Sequence, residues 1–473
     1  MKFSEQNTVE NHIIEYLSGN KAGEFNYARN RKSGAGMVAD APRKINVSWN
    51  GKTALGYKYI PPAEFAKLRE FENEFIIISR LLEAIKKINK IDNDEAQSVI
   101  REVKKIDTNQ EFLNTMREGI DIKDLKTNRV KNYKIMDFKN PENNSFVITN
   151  QFYFEGNAEN IRPDMLVFLN GLPICDIEAK SPVAGGAASF ENAIDQIKRY
   201  ERNARRLFLP NCFNIATDGL KAVYGATYSP KQYFFKWREE KQDEEKELEL
   251  TLDALLSPNK LLDIIKNFIL FEKENEKLVK KIARYQQMRA ANKIVKRVKS
   301  GNVKRGLIWH TQGSGKSLTM FFTAWKLRFD QSLKNPKIFV LIDRIDLDDQ
   351  IYDTFINCGG KNVIRVVSRE DLRKKIKSPE RGIFISTIQK FSELGDEAKN
   401  LDQNIIVLSD EAHRDNEGIS AINLRSAMKN AFFFGFTGTP IDRTTLNTYR
   451  NFSEGGERYL DYYSIQQAID DGA

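Results

Sequence analysis

Asp164, Glu178 and Lys180 bracket two apolar runs in the stretch RPDMLVFLNGLPICDIEAKSP. Two carboxylates and an ammonium gathered at the end of a sheet lose hydration, and the acids repel each other, so a purely structural role explains them poorly. A divalent cation removes the difficulty. Asp164 and Glu178, helped by the backbone carbonyl of Ile177 or Ala179, can hold Mg²⁺ that activates water and neutralises a scissile phosphate, with Lys180 positioning or polarising that water. Whether the three groups meet depends on register. Asn170 and Gly171, which tolerate positive φ, separate the runs and predict an antiparallel hairpin. A two-residue turn pairs Asp164 with Ile177 and leaves Glu178 facing the other side, whereas a three-residue loop through Leu172 pairs Asp164 with Glu178.

A second chemistry lies in GLIWHTQGSGKSLTMFFTAW, which reads as a strand, a glycine-rich turn and a helix. In the loop from Thr311 to Ser317, the small residues Gly313, Ser314 and Gly315 let backbone N–H groups close around phosphate at the helix N-terminus. Lys316 then reaches the β- and γ-phosphates and Ser317 binds Mg²⁺. The strict phosphate-loop pattern places glycine where this chain has His310. Downstream, Asp410 and Glu411 follow a buried strand in IIVLSDEAHR, the usual position of a Mg²⁺ ligand and a general base. The run AFFFGFTGTP ends in Thr437, Gly438, Thr439 and Pro440, where hydroxyls can couple nucleotide state to grip on DNA.

The elements that must hold these groups are legible from periodicity. Helical spacing marks Glu5 to Leu17, and residues from about Pro62 to Lys126 read as largely helical, including FAKLREFENEFIIISRLLEAIKKINK. Strand signals occupy Phe146 to Ile177, and a helix runs from about Ser189 to Leu207. After Leu261, helices alternate with the short apolar runs GLIW, IFVLID, GIFIST, IIVLSD and AFFFGFT, which predicts a mostly parallel α/β sheet. The charge run EEKQDEEKELE separates the two regions as a connector. The expected organisation is a helical and nuclease-like region over 1–240, with its core about 140–230. A charged connector follows over 241–260, then a parallel-sheet lobe over 261–460 and the beginning of a further segment over 461–473.

Composition sets outer limits. At 473 residues with 41% hydrophobic and 29% charged residues, the chain is expected to form two or three globular domains. Its net charge of +9 favours polyanionic partners. Three cysteines without CxxC spacing and only three histidines argue against a zinc site or a disulfide framework. No run is long enough to span a bilayer, and the N-terminus lacks an apolar signal core, so no membrane association and a reducing cytoplasm are expected.

The pattern Pro163, Asp164, then Glu178, Ala179, Lys180 resembles the PD-(D/E)xK nucleases. QIKRY places Gln196 and Tyr200 four residues apart on one helix face and resembles the QxxxY motif of the branch associated with helicases and restriction enzymes. The resemblance implies that both residues belong to the nuclease site and that an additional acid comes from the first helix, Glu10 or Glu15. The phosphate loop, DEAHR and FTGTP resemble motifs I, II and III of superfamily 2 helicases, which tolerate a residue such as His310. FVLIDRIDLDDQ resembles motif Ia through Asp343, Arg344, Leu347 and Gln350, and ISTIQKF resembles motif Ib through Thr387 and Gln389. ARYQQMRAANKI resembles the adenine-reading segment, with Gln287 as the expected reader and Gln286 beside it. His413 is then part of the wiring between nucleotide and DNA, together with Thr437 and Thr439.

In this order and spacing the motifs resemble the restriction (R) subunit of type I restriction-modification enzymes. The resemblance implies a PD-(D/E)xK α/β domain followed by a RecA-like lobe, with ATP and Mg²⁺ as cofactors. It further implies ATP-driven translocation of double-stranded DNA, cleavage away from the recognised site, and methyltransferase and specificity subunits as partners. The absent motifs IV to VI make an N-terminal fragment the expected reading, one that binds ATP without turning it over. A helicase-nuclease of DNA repair or phage defence is the alternative. Phosphate contacts to DNA are expected from the Ia and Ib loops and near Lys198, Arg199, Arg202, Arg205 and Arg206.

Overall fold

A computed structural model describes residues 9–20, 48–49, 52–123, 128–180, 189–239, 246–274, 277–342, 345–358, 362–391, 404–410, 428–439, 452 and 456–472. They form two compact units. The first reaches Ile269 and includes Lys280–Ile282, and the second comprises Leu270–Val279 and the residues from Ala283 onward.

The first unit contains a seven-stranded sheet of β1 (Lys58–Tyr59), β2 (Phe146–Asn150), β3 (Met165–Leu169), β4 (Leu172–Ala179), β5 (Phe213–Thr217), β6 (Ala222–Ala226) and β7 (Phe235–Lys236), in the order β7-β6-β5-β4-β3-β2-β1. The pairs β1/β2 and β4/β5 are parallel and the others antiparallel. Besides the single turn Pro62–Phe65, the described residues before the β3–β4 hairpin form the helices α1 (Asn11–Ser18), α2 (Ile78–Asn89), α3 (Asn93–Val103) and α4 (Asn109–Glu118). Asp92 and Thr108 cap α3 and α4 by accepting the N–H groups of Glu95 and Glu111. Helix α5 (Ser189–Asn203) makes the crossover from β4 to β5, and its Ala193, Ile194 and Ile197 pack with Ala216 and Val223.

The hairpin resolves the register question in a third way. Its turn holds only Asn170 and Gly171, at φ 51° and 81°, yet the pairing shifts between Val167 and Phe168. Leu169 faces Leu172 and Phe168 faces Pro173, but Val167 faces Cys175 and Met165 faces Ile177. Ile174 is therefore the extra residue of a β-bulge, and beyond it Asp164 comes opposite Glu178. The short turn is thus combined with the register expected of the longer loop. Gly171 is required twice over: its φ is left-handed, and a Cβ there would sit 2.4 Å from the carbonyl oxygen of Ile77. That same approach corrects the helix expected from Phe65. The Ile77 N–H donates to the Gly171 carbonyl, and the half-buried Arg69 guanidinium ties down the carbonyls of Glu72, Glu74 and Tyr153, so continuous helix begins only at Ile78.

The connector expected over 241–260 is also corrected. Helices α6 (Glu247–Leu256) and α7 (Pro258–Asn267) belong to the first unit, with Leu248, Leu252, Leu255, Leu261 and Ile265 buried. The acidic run leads directly into an apolar helix face, and Glu247 accepts the Ala222 N–H at the sheet. Likewise α5 ends at Asn203, not near Leu207.

The second unit is built on a parallel sheet of β8 (Arg305–His310), β9 (Lys337–Ile342), β10 (Val363–Arg365), β11 (Ile383–Thr387), β12 (Ile405–Ser409), β13 (Phe432–Thr437) and β14 (Asp461–Tyr463), in the order β10-β11-β9-β12-β13-β8-β14. Strands β9, β11, β12 and β13 are buried along their whole length, as a parallel sheet covered on both faces requires. The helices α8 (Tyr285–Ser300), α9 (Lys316–Phe329), α10 (Ile345–Asn357), α11 (Arg369–Lys377) and α12 (Ile465–Asp470) accompany it. Residues 461–463, expected to lead into another segment, instead form an edge strand of this sheet, parallel to β8. Among the described residues no helix is long and apolar enough to cross a membrane.

Candidate functional site

The bulged hairpin brings the three sequence-predicted groups together. The Asp164 N–H donates to Glu178 Oε1 at 3.1 Å, and the Ala179 N–H donates to Asp164 Oδ2 at 3.0 Å. Each carboxylate is thus pinned by the backbone of the opposite strand, and Lys180 Nζ lies 3.7 Å from Asp164 Oδ2. Glu178 is fully buried and its Oε2 has no hydrogen-bond partner among the described residues. Burial, followed by the charges of Asp176 and Asp164, pushes its carboxyl well above the usual range.

Asp176 was not singled out from the sequence. It is fully buried two residues before Glu178 on the same strand face, and neither carboxyl oxygen meets a donor among the described residues. Burial and the charges of Asp164 and Glu201 push it well above the usual range as well. The spacing Asp176, Glu178, Lys180 on one face was the available signal. Beyond it, Glu201 accepts from Asn214 Nδ2, the Tyr228 N–H and Lys198 Nζ.

Gln196 and Tyr200 meet as the i, i+4 spacing requires: Gln196 Nε2 donates to the Tyr200 hydroxyl at 2.9 Å, which donates to the Arg162 carbonyl at 3.2 Å. The pair therefore braces the chain two residues before Asp164. Burial and the charge of Glu178 raise the Tyr200 hydroxyl to about 12, so it remains a donor. Of the two acids on the first helix, Glu10 reaches this region. It accepts from Asn150 Nδ2 and Gln151 Nε2, both at 3.0 Å, and Gln151 Nε2 lies 3.5 Å from Asp164 Oδ1.

The donor set suits a hard cation. It offers two carboxylates with an uncommitted Glu178 oxygen and the adjacent Ala179 carbonyl, while no three His, Cys, Asp or Glu side chains among the described residues converge to enclose an ion. Mg²⁺, which keeps several waters and takes one or two carboxylates, fits such an open site. In the basic cluster Lys198 is committed to Glu201 at 2.8 Å, whereas Arg202, Arg205 and Arg206 are exposed.

In the second unit the loop after β8 has the geometry of a phosphate cradle. Gly313 and Gly315 take φ 81° and 80°, and α9 begins at Lys316 without a side-chain cap, which leaves its first N–H groups for a ligand. Ser314 is buried and its hydroxyl has no partner among the described residues. The Thr311 N–H is bonded to the Tyr463 carbonyl, so the loop is anchored at its start, and Ser317 stands in the first turn of α9. Gln287 accepts the Arg284 N–H through Oε1 and donates to the Gly315 carbonyl at 3.2 Å. A Cβ at Gly315 would meet its Nε2 at 2.5 Å. Gln286 is fully buried with both amide atoms unpartnered among the described residues.

Asp410 follows β12, and Thr437 ends the neighbouring β13 opposite Trp309. A Cβ added at Gly438 would lie 3.4 Å from Lys316 Nζ, so the strand end after β13 borders the loop lysine. The Thr439 N–H donates to the Thr437 hydroxyl, and Thr387 ends β11, two residues before Gln389. Glu411, His413, Asp343, Arg344 and Pro440 lie outside the described residues, as do the side chains of Leu347 and Gln350.

Two family models match the chain: the type I restriction enzyme R protein N terminus over residues 52–233, and the SWI2/SNF2 ATPase over residues 286–473. The type I restriction enzyme HindI endonuclease subunit of Haemophilus influenzae is 34% identical over 470 residues, 89% of this chain and 44% of that protein. A protein of Methanocaldococcus jannaschii, provisionally named the type I restriction enzyme MjaIXP endonuclease subunit, is 31% identical over 467 residues, covering 88% of this chain and 43% of its own length. The chain thus spans less than half the length of these curated relatives. Among solved structures, a nuclease-deletion mutant of the type ISP restriction-modification enzyme LlaGI with a DNA substrate mimic aligns at 19% identity and a TM-score of 0.31, covering 40% of this chain and 20% of that one. With a restriction-type N-terminal unit and an ATPase lobe in one polypeptide, the chain belongs to the R-protein family of type I restriction enzymes.

Proposed function

We propose that the first unit carries the Mg²⁺-dependent phosphodiesterase site of a type I restriction endonuclease subunit and the second an ATP site driving translocation along double-stranded DNA. The observation that carries the nuclease reading is the reciprocal pinning of Asp164 and Glu178, with Lys180 beside them. Asp164, Glu178 and the Ala179 carbonyl would hold Mg²⁺, which when bound supplies an activated water and charge neutralisation on the phosphate. Lys180 orients the attacking water or a phosphate oxygen. Gln196 and Tyr200 hold Arg162, and through it the strand that delivers Asp164, while Glu10 fixes Gln151 on the other side of the same carboxylate.

In the ATP site, backbone N–H groups of Gly313, Ser314 and Gly315 enclose the phosphates, anchored by Thr311, and Lys316 neutralises them. Ser317 and Asp410 are the residues for a second Mg²⁺, Glu411 for the attacking water, and the N-terminal turn of α8 around Gln287 for adenine. His413, Thr437 and Thr439 would couple nucleotide state to DNA, whose phosphates meet the exposed Arg202, Arg205 and Arg206. We place the protein in the cytoplasm with methyltransferase and specificity subunits, cutting away from the recognised sequence.

The test uses the complete subunit reconstituted with its partners. Glu178→Ala is expected to abolish cleavage while ATP hydrolysis persists, and Lys316→Ala to abolish both. If Glu178→Ala cleaves normally and only Lys316→Ala fails, another nuclease does the cutting.

A further inference from the structure

One carboxylate in the second unit gathers more partners than any sheet edge needs. Asp461, on β14, has a fully buried side chain. Arg289 Nε donates to its Oδ1 at 2.7 Å and Arg289 Nη2 to its Oδ2 at 3.1 Å, while Lys293 Nζ lies 2.9 Å from Oδ1. His310 Nε2 approaches Oδ2 at 2.7 Å, and because a carboxylate only accepts, that nitrogen carries the proton. Burial lowers the imidazole, so it is neutral at pH 7. Burial also raises the Asp461 carboxyl, but the hydrogen bonds from His310 and Arg289 hold it well below the usual range, and it is ionised.

The partners come from two parts of the proposed ATP site. His310 is the last residue of β8, at the position where the strict phosphate-loop motif has glycine, and the loop follows it directly. Arg289 and Lys293 are one turn apart on α8, whose first turn carries Gln286 and Gln287 and already touches the loop through the bond from Gln287 to Gly315. Backbone pairing completes the clamp, with Ile308 opposite Asp461, His310 opposite Tyr463, and the Thr311 N–H on the Tyr463 carbonyl.

We propose that Asp461 is a positioning residue for nucleotide recognition: by holding Arg289, Lys293 and His310 together it fixes the helix facing the base against the loop facing the phosphates, and so sets the preference for adenine over guanine nucleotides. The inference rests on the ATP reading above. Its electrostatic sign makes it separable from a general structural role. Removing the charge of Asp461 takes a negative charge away from the strand end that leads into the phosphate loop, which favours polyphosphate, while the helix loses one of its ties to that strand and with it its register on the base.

The experiment titrates this chain with fluorescent mant-ATP and mant-GTP and, in competition, with inorganic tripolyphosphate. In Asp461→Asn the ratio of ATP to GTP affinity is expected to fall about tenfold, within the usual range of coupling between sites, while tripolyphosphate binds as well as before or better. An unchanged ratio overturns the proposal, and so does a wild-type chain that binds both nucleotides equally. A wild-type chain that binds neither overturns the ATP reading and the proposal with it. Should Asp461→Asn lose tripolyphosphate too, as an unfolded lobe would, Lys293→Met decides. Its side chain is 35% exposed and its loss leaves the Arg289 pair in place. A ratio reduced about fivefold, a coupling at the weak end, supports the clamp, and an unchanged ratio refutes it.

Discussion

Replacing Asp176 by valine should stabilise the first unit, and by an amount that depends on pH. The side chain is fully buried, both oxygens lack donors among the described residues, and Glu178 lies two residues away on the same face. Valine has nearly the same shape and needs no hydrogen bond. Exchanging whole buried ion pairs for well-packed apolar groups is often neutral or gains about 1–4 kcal/mol, so about 1–2 kcal/mol is expected for this single acid, and for a unit of this size each kcal/mol raises Tm by about 2–4 °C. The sign with pH follows from the upward shift of Asp176. A carboxyl that holds its proton more tightly in the fold than in the unfolded chain carries no penalty below the ordinary carboxylate range, and becomes destabilising as pH rises toward its raised value. The gain from Asp176→Val is therefore expected at pH 8 and should shrink toward pH 4. Differential scanning calorimetry in EDTA, which keeps divalent cations from offsetting the repulsion, measures it. A variant that melts lower at pH 8, or one whose gain is the same at both ends of the range, would refute the view that Asp176 is an uncompensated buried acid.

Divalent binding should tighten with pH, because the raised Glu178 carboxyl must lose its proton to act as a ligand. Calorimetric titration with Mn²⁺ is expected to show up to about tenfold higher affinity per pH unit between the ordinary carboxylate range and the raised value, together with proton release, and pH-independent binding would count against Glu178 as a ligand. Tyr200→Phe removes the hydroxyl that links Gln196 to the Arg162 carbonyl, so it should cost about 0.5–1.5 kcal/mol of stability and weaken Mn²⁺ binding without abolishing it. An unaltered Mn²⁺ affinity would deny the brace a part in the site. Gly171→Ala forces a left-handed residue and a 2.4 Å approach to the Ile77 oxygen, and should destabilise the unit by about 1–3 kcal/mol, read from the same melts.

Much of the second unit was legible because a parallel sheet covered on both faces writes itself as uninterrupted apolar runs, and all five runs expected from the sequence became strands. The motif residues Thr311, Gly313, Ser314, Gly315, Lys316 and Ser317 gather at one loop and the helix start that follows it because local sequence alone builds a strand, turn and helix. What could not be read depended on contacts distant in sequence. The start of α2 is fixed by Gly171, more than 90 residues downstream. The helices after the acidic run belong to the first unit because their leucines find its core, which charge composition does not reveal. Asp176 was hidden among apolar neighbours in LPICDIEA, where a single acid reads as an exception until its facing partners are known. Asp461 lay in a short segment with no motif, and its role emerged only when Arg289, Lys293 and His310 converged on it.

Ile174 has an odd status among these residues. It contributes no functional group, and swapping it for another aliphatic would leave every acidic and basic position untouched. Deleting it, however, would turn Asp164 and Glu178 to opposite faces of the sheet while PD and ExK still stood in order, only one residue closer. A gene altered in that way would pass for a nuclease in any comparison of letters. The proposed capacity to cut would thus be written partly as a length, and a frame-preserving loss of one codon would silence it without erasing any of the candidate site residues.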